Sequence, residues 1–142
     1  MEFEQLHQDT DCDCLKDAKE NYENYFARKI NKPEPKDSDF KSHWERGKRA
    51  EGCVQICGFK GISVNEWNEN TKNDVIQKFL ITFRITPKHK DSMLIFKYLE
   101  QSGLLFYSPN KNDNSHFDFY KSDTFSLDLI EQTECISLRE ML

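Results

Sequence analysis

No apolar run in this chain is longer than that of Met93 to Phe96. A membrane-crossing helix needs about 20 such residues, so the sequence offers none. The start, Met-Glu-Phe-Glu-Gln, has neither a basic segment nor an apolar core, so it does not read as a signal peptide. Internal repeats and low-complexity tracts are also lacking. Excess positive charge is missing too: the net charge is −5. Duplex nucleic acid is bound largely through Lys and Arg contacts that release counterions, so an acidic chain is a poor candidate for that class. These features lead to the expectation of a cytoplasmic protein with no membrane segment, whose partner is another protein rather than nucleic acid.

What is present offsets a low hydrophobic fraction. Only 37% of the residues are hydrophobic and 32% are charged, yet there are 11 Phe, 5 Tyr and 2 Trp. Each aromatic side chain buries a large apolar area, so a few of them make a core. A length of 142 residues suits one domain, 1–142, with residues 31–37 as a proline-containing connector.

The pattern predicts an α+β fold. It consists of an N-terminal amphipathic helix and a short second helix, followed by an antiparallel sheet with one or two further helices. Leu15, Ala18, Tyr22, Tyr25, Phe26 and Ile30 fall at helical spacing over 13–30. Pro33 and Pro35 end that segment. Ser38 or Asp39 caps a short helix carrying Phe40, His43 and Trp44. Val54 and Ile56, then Ile62 and Val64, read as a strand interrupted by Gly58 and Gly61. Val75, Phe79, Ile81, Phe83 and Ile85 alternate with polar residues, which predicts a half-buried strand over 75–86 with Arg84 exposed. Residues 91–102 read either way. Asp91 and Gly103 bracket a helix, whereas Leu94, Phe96 and Tyr98 alternate as in a strand. Leu104–Tyr107 and Phe117–Tyr120 read as short strands. A last helical stretch begins near Ser122 and carries Phe125, Leu129 and Ile130.

Four of the five cysteines form two close pairs, Cys12 with Cys14 and Cys53 with Cys57. Together they could hold one structural zinc in a tetrahedron of thiolates, with His43 or His7 in place of one. The alternatives are core packing by small, buried thiols and a redox or catalytic pair. In a reducing compartment an odd cysteine count is unremarkable. Asp9, Asp11, Asp13, Asp17 and Glu20 have the spacing of a calcium loop, but Cys14 stands where that loop requires glycine. Arg46, Lys48 and Arg49, beside Trp44, could meet a phosphate or a base; Glu45 and Glu51 interleave them, as on a solvated face. His116, Asp118, Tyr120 and Asp123 could do acid–base work or form the wet side of a strand.

Ala50-Glu51-Gly52-Cys53 with following strands, then Phe83-Arg84-Ile85-Thr86, faintly resembles a single half of a LAGLIDADG homing endonuclease. That resemblance would make Glu51 an acidic metal ligand at the end of a motif helix. Arg46, Gly47, Lys48 and Arg49 depart from it, standing where that family packs apolar residues. Three readings result. The leading one is a small acidic, non-catalytic protein acting as an adaptor, inhibitor or immunity-type factor. Its acid-rich segment, Glu2 to Glu20, would meet a basic surface in a salt-sensitive manner. The others are a nucleic-acid-binding or nuclease-like domain using Glu51 and the basic cluster 46–49, and a zinc-stabilised regulatory protein.

Overall fold

The computed structural model describes residues 1–142. Six strands make one antiparallel sheet: β1 (Tyr25–Ile30), β2 (Ile62–Trp67), β3 (Ser92–Tyr98), β4 (Gly103–Tyr107), β5 (His116–Lys121) and β6 (Ile130–Ser137). Their order across the sheet is β4-β5-β2-β1-β3-β6. Two short helices accompany it, α1 (Cys53–Lys60) and α2 (Lys72–Thr82). The chain is therefore mainly sheet, which corrects the expectation of a helix-led α+β arrangement. No helix is long and apolar enough to cross a membrane.

No amphipathic helix stands at the N-terminus. Asn21 Oδ1 accepts the backbone N–H groups of Glu23 and Asn24, an Asx-type turn that competes with helix. Tyr25–Ile30 then runs as a strand between β2 and β3. The spacing of Phe26 and Ile30 suits a helix, but it equally places both on one side of a strand.

Residues 53–60 reverse in the other direction, from expected strand to helix. Cys53 and Cys57 stand one turn apart and so point to the same side. The expected strand at 75–86 is α2 followed by a turn. Val75 and Phe79 are buried one helical turn apart, with Ile76 and Leu80 packed beside them. Ile81 is 74% exposed and Phe83 38%, against the alternating pattern. Arg84 is exposed as expected, at a positive φ of 49° that stops the helix. Past Ser122 the expected helix is a single 3₁₀ turn at Leu127–Leu129, followed by β6.

Residues 92–98 are a strand buried on both faces, all but Lys97. This explains why they showed no clean alternation. The β4–β5 pair follows the sequence pattern. Gly103 is required by that pairing: a Cβ there would lie 2.2 Å from the Tyr120 carbonyl oxygen.

One face of the sheet carries the main core, including Phe26, Phe40, Leu94, Phe96, Tyr98 and Phe119. Tyr98 and Phe119 stack with ring centroids 4.1 Å apart, and Phe96 meets Tyr98 edge-on at 5.0 Å. Such pairs add to the area they bury. The opposite face is covered in two parts. α2 packs Val75 and Phe79 on Ala27, Met93 and Ile95 over β1 and β3. Over β4 and β5, Phe106 and Tyr120 meet Cys12, Cys14 and Ile56 from α1 and the N-terminal segment.

Candidate functional site

The four paired cysteines come together, but not as free thiolates. Cys12 is bonded to Cys53 and Cys14 to Cys57, with Cα separations of 5.3 and 5.2 Å. A disulfide sulfur is not the anionic ligand that zinc requires. Among all the His, Cys, Asp and Glu side chains, no group of three or more is placed to share a metal ion. In this oxidised form the cysteines are a double staple between the N-terminal segment and α1. Cys135 is free and exposed, and its Sγ contacts the Pro33 carbonyl.

The acid-rich loop ahead of Cys12 is organised by a cation from within the chain. Lys60, at the end of α1, donates to the carbonyls of Leu6 and Gln8 and to Thr10 Oγ1 at 2.7–2.8 Å. Its ammonium also lies 5.1 Å from the Trp44 ring centroid. Burial lowers the Lys60 pKa, and nearby Asp9 opposes that shift. The N-terminus is held independently, since Asp123 accepts the N–H groups of Glu4 and Gln5. Asp123 is thereby removed from the group with which sequence spacing associated it.

The remaining members of that group form a polar band on the sheet face between α1 and α2. His116 Nε2 lies 3.0 Å from Ser63 Oγ, and its Nδ1 lies 2.9 Å from Ser108 Oγ. Asn65 donates to Asp113 Oδ1 at 2.7 Å, and Lys78 of α2 pairs with the same carboxylate. Burial pushes the Asp113 carboxyl up, but hydrogen bonds from Lys78 and Asn65 together outweigh it and hold the pKa below the usual value. Asp118 behaves oppositely: burial raises its pKa, with His116 pulling the other way. The Tyr120 hydroxyl donates to the Cys57 carbonyl, and burial with Asp118 nearby raises its pKa. No signal in the sequence linked Asn65, Lys78 and Asp113, which come from three separated segments.

The basic cluster is partly self-satisfied. Arg49 stacks on Trp44 at 4.1 Å and donates to the Trp44 carbonyl, while Arg46 donates to the Ser38 carbonyl. Glu45 is drawn away from it by Lys121, 2.7 Å distant. Glu51 is exposed at the bend before α1, where its N–H reaches Gln55.

The two edges of the sheet differ. At the β4 edge, Lys19 exchanges both backbone hydrogen bonds with Leu105, at 2.8 and 2.7 Å, and so occupies the middle of that strand. At the β6 edge, Glu131 to Cys135 are all exposed. Thr133 is bulged out of register between Gln132 and Glu134. No protein-family model matches the chain, and no curated protein or solved structure matches it either.

Proposed function

We propose that this is a non-catalytic binding protein whose partner is another protein, docked as an added strand along β6. The supporting observation is the asymmetry of the edges. One is bridged at its centre by the chain's own backbone, through Lys19, whereas the other presents an eight-residue strand with one row of backbone groups facing outward. Such an edge is a template for an extended segment. Glu131 and Glu134 stand along it, with Asp128 and Glu140 at its ends. They favour a basic segment and disfavour a second copy of this acidic edge. The bulge at Thr133 further limits indiscriminate pairing.

The acid-rich N-terminal segment lies at the other end of the sheet. Five strand spacings of about 4.8 Å separate the two edges, several times the screening length of about 8 Å at physiological salt. Each acidic region therefore attracts its own partner surface, and docking at β6 depends on the β6 acids. Two disulfides also favour an oxidising setting, where they persist, over the cytoplasm expected from the sequence.

The test is affinity capture from the native host, followed by hydrogen exchange on the isolated complex. A basic partner should protect residues 130–137. Its capture should fall at high salt and be lost with Glu131→Lys/Glu134→Lys or with Thr133→Pro, but survive Asp11→Asn/Asp13→Asn. Protection confined to the N-terminal segment, or capture indifferent to the β6 changes, would reject the reading.

A further inference from the structure

β1 and β2 are ladder partners only at Tyr25↔Trp67, Phe26↔Glu66 and Ala27↔Asn65. Beyond Ala27 they separate, β1 staying with β3 and β2 with β5. Arg28 fills the gap. Its Nη1 donates to the Ser63 carbonyl and its Nε to the Asp39 carbonyl, each at 2.7 Å. A groove of about 290 Å³ runs along this seam between α2 and the 38–46 segment.

The charges lining it do not balance. Arg28, Lys29, Lys41, Arg46 and Lys78 face one acid, Asp39, while burial and the neighbouring cations lower the pKa of His43. Lys29 is paired with Asp91 and Lys78 with Asp113. Arg28, Lys41 and Arg46 have no carboxylate partner. The Asp39 carboxylate is occupied with the Lys36 N–H, and Glu45 with Lys121. Burial holds the Arg28 pKa down to about 10, with Arg46 adding to that effect and Tyr98 and Asp39 opposing it. Of the three unpaired cations, only Arg28 is withdrawn from water, where an uncompensated charge is costly; Lys41 and Arg46 are exposed at the groove mouth, adding two cations without a carboxylate partner in a chain of net charge −5.

The geometry points to a binding site for a small phosphate-bearing ligand in this groove. Arg28 and Arg46 each retain guanidinium N–H groups beyond those given to carbonyls, and such forks suit tetrahedral oxyanions. The cavity is at the lower end of small-ligand pockets, which favours a phosphate monoester or a pyrophosphate over a polymer. Phe83, 38% exposed, also lines the groove, with the Lys29 ammonium 4.8 Å from its ring centroid. The site is separate from β6, so it stands or falls independently of the partner reading.

The probe is inorganic pyrophosphate, titrated into the full chain and followed by nitrogen–proton NMR, with sulfate at matched ionic strength as control. Saturable shifts should centre on the Arg28 Nε–H, Ser42 and Ser63, with Kd below about 1 mM. Arg46→Ala and Lys41→Ala change exposed residues and so should preserve the fold, and each should weaken binding about fivefold. Lys16→Ala, an exposed lysine elsewhere, should leave Kd within about twofold of the parent value. Non-saturating shifts, equal affinity for sulfate, or equal loss with Lys16→Ala would overturn the site.

Discussion

The sheet face opposite the main core is covered by two layers that hold on by different means. Over β1 and β3, α2 buries Val75 and Phe79 against Ala27, Met93 and Ile95, with Leu138 and Ile85 closing the sides. Over β5, the sheet offers only Tyr120 as a fully buried apolar residue, and the sulfur atoms of Cys12 and Cys14 complete the cluster. The first layer is held by apolar area. In the second that area is thin, and two cross-links and the Lys60 hydrogen bonds hold the N-terminal segment in place. Low hydrophobic content thus does not spread evenly over this protein; it is concentrated where covalent bonds replace packing.

The largest expected effect breaks the stapled half. Each bridge spans about 40 residues, and closing one such loop removes roughly 4 kcal/mol of unfolded-state entropy. The second bridge then closes a ring of only about eight residues, for roughly 2.5 kcal/mol more. Replacing all four cysteines by serine should cost about 6 kcal/mol, whereas replacing Cys14 and Cys57 alone should cost about 2.5. Chemical denaturation of the two variants checks this; equal losses would show that the second of these interleaved bridges does not merely close the small ring left by the first.

A smaller effect breaks the packed half. Phe79→Ala should cost about 3–5 kcal/mol, while Ile81→Ala on the exposed side of α2 should change stability by less than about 0.5. A reducing agent should leave this difference unchanged, because the α2 cluster and the cysteine cluster share no residue. Thermal melts with and without reductant measure it.

The smallest effect concerns the polar band between the two layers. Asp113 has a depressed pKa, so it contributes stability above its unfolded value that is lost as pH falls through the lower folded value. Asp118 has a raised pKa, so its contribution is present at low pH and is lost as pH rises through the folded value. At neutral pH, Asp113→Asn should therefore destabilise and Asp118→Asn should stabilise slightly. The gap between the variants should shrink toward pH 3. A gap independent of pH would mean that these carboxyls do not differ in environment.

Local pairing was the most legible feature of the fold. Leu104–Tyr107 and Phe117–Tyr120 are neighbours in sequence and partners in the sheet, so their pattern and their contacts coincide. Phe79, Ile81, Phe83 and Ile85 misled because every second residue was apolar, while Val75, Ile76, Phe79 and Leu80 fit a helix just as well. Which pattern wins depends on the sheet beneath, a contact the local sequence does not contain. β6 went unseen because five of its eight residues face water. The convergence of the cysteines was legible, but their pairing was not, since a reducing compartment was assumed. Lys60 and Arg28 carried no signal at all, because their partners, mostly backbone carbonyls, lie in other segments of the chain.

Covalent staples replace apolar packing in one layer of this protein, and peptide mapping of material purified without reductant tests that most directly. Protein digested under non-reducing conditions should yield peptides joining Cys12 to Cys53 and Cys14 to Cys57, with Cys135 free to alkylate and no metal in the native mass. Four free thiols, a bound zinc ion, or a different pairing in a stably folded protein would contradict it.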